Sequence, residues 1–345
     1  MRMRMLAPVL AAMFVAPLHA QESPSEVPAA SVQQPVAVDG IRTAPTVVVT
    51  GEQPGPGLWL VRRGDHELWI LGTLNPLPSG MQWQSQQVEQ VIGNAQEVIR
   101  APYVSFKVDT GWFKGLMMLP SLLGARRNPD GKRLQDVVSP QSYARWQALK
   151  ARYIGRDRGV EKWRPLFAAQ ELYKEAMEKS GLDGKDIVSQ PIKRAIEARG
   201  PAVTVVREEI VVKDPKPLLK EFSKTTLDDI ACFDNTMTRI ETDLDAMRLR
   251  ANAWATGDMA ALQSLPPPYQ WEACSSAITE AGIGKRLGFG DAQGKLEAKW
   301  LAAAEAALAR NEVTFAILGL NDMLGPDGYL AKLQARGYTV LTPDE

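Results

Sequence analysis

The sequence predicts an α/β protein: a mixed central sheet opened by an N-terminal β-hairpin, with a large helical insertion between the N- and C-terminal strands of the sheet. Three observations predict it. Two strand-like runs flank a Gly64-Asp65 turn; strand, Gly-containing turn, helix and strand follow one another after Leu71 and again after residue 314; and the long stretch between is dominated by helical periodicity. Strands that alternate with helices bury a sheet beneath them, whereas runs of helix pack as a bundle.

Residues 1–20 read as an export signal. Arg2 and Arg4 form a positive start, residues 6–17 are apolar, and Ala20 ends a stretch suited to signal peptidase. The apolar run is shorter than the roughly 20 residues a bilayer span requires. Its removal takes away His19 and leaves His66 as the sole histidine. Residues 21–57 are rich in Pro, Val, Ala, Ser and Gln and end in a Gly/Pro-dense run, which predicts a disordered leader. A single domain is then expected over 58–345, in a periplasmic or secreted protein.

Residues 58–61 and 67–71 are strand-like, and His66 is expected as an exposed turn residue near the hairpin tip. A helix is expected near 85–95 and a short strand at 97–99. The turn at Gly72 and Thr73 lies where α/β folds place binding groups, beyond the carboxyl end of a strand. Segments 141–153 and 167–179 read as helices and 201–206 as a buried strand. Ile230, Phe233, Met237, Ile240, Leu244, Met247, Ala251 and Trp254 recur at spacings of three and four, which predicts one long amphipathic helix. Thr226 with Asp229 would cap it, and Gly257 would stop it. The chain should close with a helix at 296–309, a strand at 314–318, a loop at 319–327, a helix at 328–336 and a strand at 338–341.

Lys plus Arg total 40 against 40 Asp plus Glu, and hydrophobic residues make up 45% of the chain. That balance argues against general nucleic-acid binding, which needs a cationic face. The basic runs at 126–133 and 213–220 are broken by Asp, Pro and Gly and read as solvated loops. No segment is long and apolar enough for an integral membrane protein. Cys232 and Cys274 permit one pairing, and an exported chain favours a disulfide. It would close a loop of about 42 residues and contribute roughly 3–4 kcal/mol. A redox pair or metal site is the other reading, but the close C-x-x-C spacing and partner histidines are missing. The sequence also lacks H-E-x-x-H, G-x-S-x-G, G-x-x-x-x-G-K-[ST] and a strand-linked G-x-G-x-x-G, which excludes the common zinc, serine and phosphate-loop chemistries.

At Gly72-Thr73-Leu74-Asn75 and Gly319-Leu320-Asn321-Asp322, with Gly325 beyond, the chain resembles the TraB/GumN family. The segment LWLVRRGDHELWILGTLNPLPSG resembles the opening of those proteins, and FAILGLNDMLGPDGYLAKLQARGYTV their closing block. The family in turn resembles Tiki-type metal-dependent proteases. That resemblance implies a metal site built from a G-T-x-H histidine, a G-x-x-H histidine and an acidic residue. Here the two histidine positions hold Asn75 and Asp322, and the acidic position falls near Ala101. An Arg-Asn pair usual in the family is not evident at Leu296-Glu297. Gly72, Thr73, Gly319 and Gly325 remain as the backbone of the expected cleft.

An Asn amide oxygen is a weak ligand and a carboxylate prefers hard ions, so tight transition-metal binding should be lost. The expectation is a catalytically degenerate member without a cofactor, binding an envelope protein or peptide. The alternative is a metal-dependent hydrolase, peptidase- or esterase-like, holding a hard divalent cation at Asn75, Asp322 and Asp327.

Overall fold

The structure is a computed structural model and describes residues 46–108, 124–213, 215–224, 227–264, 274, 284, 287 and 289–343. The expected signal segment, the first part of the leader, Thr226 and the Pro266-Pro267-Pro268 loop lie outside the described residues.

In chain order the first elements are β1 (Gly51–Gln53), β2 (Leu58–Arg63), β3 (His66–Thr73), β4 (Leu77–Pro78), β5 (Met81–Trp83), α1 (Gln86–Asn94), β6 (Glu97–Ile99) and β7 (Tyr103–Val108). A mainly helical stretch follows: α2 (Pro140–Tyr153), α3 (Pro165–Lys179), β8 (Leu182–Asp183), α4 (Ser189–Arg199), β9 (Ala202–Thr204), β10 (Arg207–Val212), α5 (Pro215–Lys224), α6 (Ile230–Thr242), α7 (Leu244–Thr256) and α8 (Met259–Ser264). The chain closes with α9 (Phe289–Arg310), β11 (Val313–Gly319), α10 (Leu320–Met323), α11 (Tyr329–Ala335) and β12 (Thr339–Leu341).

The central sheet is mixed and has six strands in the order β12-β2-β3-β11-β6-β9. β2 pairs antiparallel with β3 and with β12, whereas β3, β11, β6 and β9 run parallel. Gly64 takes φ 61° in the β2–β3 turn, a left-handed conformation that glycine adopts without a Cβ penalty. The central strands read as near-continuous apolar runs because helices cover both faces of a parallel sheet. Leu68, Ile70, Leu71, Phe315, Ala316 and Leu318 are all fully buried. From α9, Leu296, Trp300, Ala304, Ala307 and Leu308 recur every three or four residues and pack into the same core.

A second apolar cluster lies among the helices, around Trp146, Leu166, Leu172, Phe233 and Met237. Cys232 and Cys274 belong to it and form a disulfide. Helix α7 joins the two cores: Ala251 packs into the helical cluster, and Trp254, three residues on, into the sheet cluster.

Four local expectations are corrected. The stripe from Ile230 to Trp254 forms two helices, broken at Asp243 (φ −114°, ψ 5°). There Asp243 accepts hydrogen bonds from the Arg239 guanidinium and the Thr242 hydroxyl. A three-four spacing continues through a one-residue break, so periodicity alone does not reveal it. Asp229 does not cap its own helix with its side chain; its Oδ2 accepts from the Leu166 amide at 2.8 Å and so satisfies the first turn of α3. The strand expected to be buried, β9, is exposed because it forms the sheet's edge. His66 opens β3 instead of sitting in the turn: it is half-buried, and its Nδ1 lies 2.6 Å from Leu308 O.

Residues 46–57, read as leader on composition, lie against the domain. Asn252 donates from Nδ2 to Val47 O and accepts from Val49 N, each at 2.9 Å, and β1 pairs in parallel with β5.

Candidate functional site

β3 and β11 are hydrogen-bonded neighbours in parallel register, with Thr73 opposite Gly319. The two Gly-containing turns therefore leave the sheet side by side at its carboxyl end. This is where binding groups collect in α/β sheets, because the diverging loops leave room and the helices that follow present their N-termini.

Thr73 ties the turns together by donating from Oγ1 to Leu318 O at 3.1 Å. Gly72 is fixed by packing: a Cβ there would meet Leu320 Cδ1 and Met323 Cε at 2.8 Å and Trp59 Cζ3 at 3.1 Å. Its carbonyl accepts from Trp254 Nε1 at 2.8 Å, and the Trp254 ring sits 6.3 Å from Trp83. Gly319 precedes α10 in an extended conformation (φ −63°, ψ 134°), so it is not held by a positive φ. Gly325 does need one, at φ 104°, on the exposed turn that also carries Asp327.

Asn75 is exposed, with its Oδ1 3.6 Å from where a Cβ on Gly184 would stand. Asp322 is half-buried in α10. Next to it, Asn321 Oδ1 accepts from Arg250 Nη2 at 2.8 Å. Arg250 is buried on α7, and burial lowers the basicity of its guanidinium. Burial also pushes the Tyr329 phenol well above its ordinary pKa, and the Asp322 and Glu297 carboxylates push the same way. Glu297 is paired with Lys332 at 2.8 Å. An open groove of about 450 Å³ between α1 and α4 is lined by Gln86, Glu89, Asn94 and Arg199; neither Asn75 nor Asp322 lines it.

Four residues at this end of the sheet were not singled out for it in the sequence: Trp254, Arg250, Asn321 and Tyr329. Arg250 left one signal. It stands four residues before Trp254, so an arginine lies on the otherwise apolar, buried face of the helix.

The residues present do not fit the transition metal implied by the motif pattern. Asn75 offers an amide oxygen and Asp322 one carboxylate, which is not a soft or imidazole donor set. Among the described residues, no group of three or more His, Cys, Asp or Glu side chains is placed to hold an ion.

Fold and turns together define an α/β protein with paired Gly-turn loops at adjacent strand ends. The family model for the TraB/PrgY/gumN family matches residues 57–342, and the chain belongs to that family. Searches of curated proteins and of solved structures find no match.

Proposed function

We propose that this chain is an exported, catalytically degenerate member of the family that acts in the cell envelope as a binding or assembly protein. The observation that carries this reading is the pair of retained turns, Gly72-Thr73 beside Gly319, which present Asn75 and Asp322 at the histidine positions. On this reading, which rests on the resemblance of the two motifs, the turns are kept while the donor chemistry is changed. On the same reading, the helices between β7 and β11 are an insertion between the N- and C-terminal strands of the sheet. Export rests on the character of residues 1–20, and the Cys232–Cys274 bridge suits an oxidising compartment. Among the described residues no helix is long and apolar enough to cross a membrane.

The test is calorimetry of the purified chain with Zn, Mn, Mg and Ca, alongside peptide and ester hydrolysis assays. No metal-dependent turnover is expected. Turnover that depends on a divalent cation and disappears in Asn75→Ala or Asp322→Ala would overturn the proposal and establish a hydrolase with altered ligands. Fractionation of the producing cells tests export, with the chain expected in the periplasmic or secreted fraction.

A further inference from the structure

Residues 97–108 and 202–212 run side by side as one nearly continuous parallel ladder, β6 with β9 and then β7 with β10. Among the described residues, the 202–212 strand pairs on this side only. Its backbone orientation follows from two hydrogen bonds: Arg100 N donates to Thr204 O at 2.9 Å, and Tyr103 N to Val206 O at 3.2 Å. Even-numbered carbonyls therefore face the 97–108 strand. Because direction alternates along a strand, the amides and carbonyls of Val205, Arg207, Glu209 and Val211 face outward from the ladder.

The side chains of these residues are exposed as well. Val203, Val205 and Val211 are 41%, 50% and 47% accessible, and Tyr103, opposite Arg207, is 43% accessible. Open strand edges of this kind template pairing with another strand unless charges block it. The charges here are Arg207 and Glu209. Their contact within the chain is long, 3.8 Å, as is that of Glu209 with Lys107 at 3.9 Å, so neither is tightly engaged. Lys299 Nζ donates to Arg207 O at 3.2 Å, which leaves the second lone pair of that carbonyl.

We propose that residues 203–211 form a self-association surface, on which a second copy of the chain adds its own 203–211 edge antiparallel about a twofold axis. A twofold interface is isologous, so the segment must complement itself. One register does so. With Glu208 on the axis, Arg207 faces Glu209 of the copy, Val205 faces Val211, and the outward amides and carbonyls meet as hydrogen-bonded pairs. The two Glu208 side chains also face each other, on the opposite side of the ladder, but each is neutralised by the Lys299 of its own chain. Moving the axis to Arg207 sets the two Arg207 side chains opposite each other, and moving it to Glu209 sets the two Glu209 side chains opposite each other. Like charges directly across a ladder are destabilising, so charge selects the register.

The test is sedimentation equilibrium of the purified chain over a concentration series. A monomer–dimer equilibrium is expected. Glu209→Arg sets guanidinium against guanidinium at both symmetric sites and should weaken the dimer about tenfold, whereas the swapped Arg207→Glu/Glu209→Arg chain should regain most of the affinity. A purely structural role for these charges would give no such rescue. Independently, Val205→Cys/Val211→Cys should form disulfides between copies on mild oxidation, because facing residues of an antiparallel pair lie about 5.5 Å apart. Each outcome decides. A monomer at every concentration, or a dimer indifferent to the charge swap and not cross-linked by these cysteines, overturns the proposal. So does a monomer that instead captures a valine-rich peptide along this edge.

Discussion

The two ends of the central sheet differ in how they treat buried polar groups. At the amino end of the parallel strands, Glu97 is buried and accepts from Thr204, from Arg310 at 2.6 Å and from Asn311 at 2.8 Å, and Asn311 reaches on to Thr314. Burial alone would raise the pKa of this carboxyl; the hydrogen bonds and the Arg310 charge outweigh it and hold the pKa below the ordinary glutamate value. At the carboxyl end, the buried Tyr329 hydroxyl and Trp300 indole N–H have no hydrogen-bond partner among the described residues, while their rings meet edge-on at 4.8 Å. Satisfied networks stiffen a fold, whereas buried polar groups left over in a native structure call for a specific explanation. The amino end thus carries a satisfied polar network, and the carboxyl end, which holds Asn75 and Asp322, leaves polar groups over and is the end our proposal assigns to function.

Mutations should separate the ends, and the largest effect belongs to the amino one. Glu97→Ala removes the acceptor shared by buried Asn311 and half-buried Thr204, while exposed Arg310 turns to water, and should cost about 3 kcal/mol in urea denaturation. The sign with pH follows from the lowered pKa: the contribution of Glu97 is present above about 4.5, the unfolded value, and is lost as pH falls through the folded one. A stability profile showing the same acid limb in wild type and Glu97→Ala would break the comparison.

Gly72→Ala comes next, at about 2 kcal/mol, because its Cβ would push on Leu320, Met323 and Trp59; unchanged thermal unfolding would show that the turn has slack. Trp254→Phe keeps most of the apolar packing but removes the donor to Gly72 O. It should cost roughly 1–2 kcal/mol by the same measurement. Smallest is Asn75→Ala, expected within about 0.5 kcal/mol of wild type, since the side chain is exposed. A large loss there would make Asn75 part of the scaffold and undo the division between the ends.

Much of the fold was legible along the chain. Helix and strand periods showed at α1, α2, α3, α9 and β11, and Gly257 ends α7 in the left-handed conformation expected of a stop, at φ 74°. The Gly72-Thr73 and Gly319 strand ends were readable because each closes an apolar strand. Less legible were the partners, since hydrogen bonds such as that from Trp254 to Gly72 span a sequence separation of 182 residues.

Residue patterns along the chain identified most of the inward-facing positions of the central strands and of α9, the Gly64-Asp65 turn and the motifs that are missing, because periodicity, glycine and residue type act locally. Tertiary structure decided the rest: that β3 and β11 are neighbours, that α6 and α7 are two helices, that Asp229 serves another helix, and that β9 is an edge. Each of these depends on which distant segment supplies a hydrogen-bond partner or covers a surface, and no local pattern encodes that.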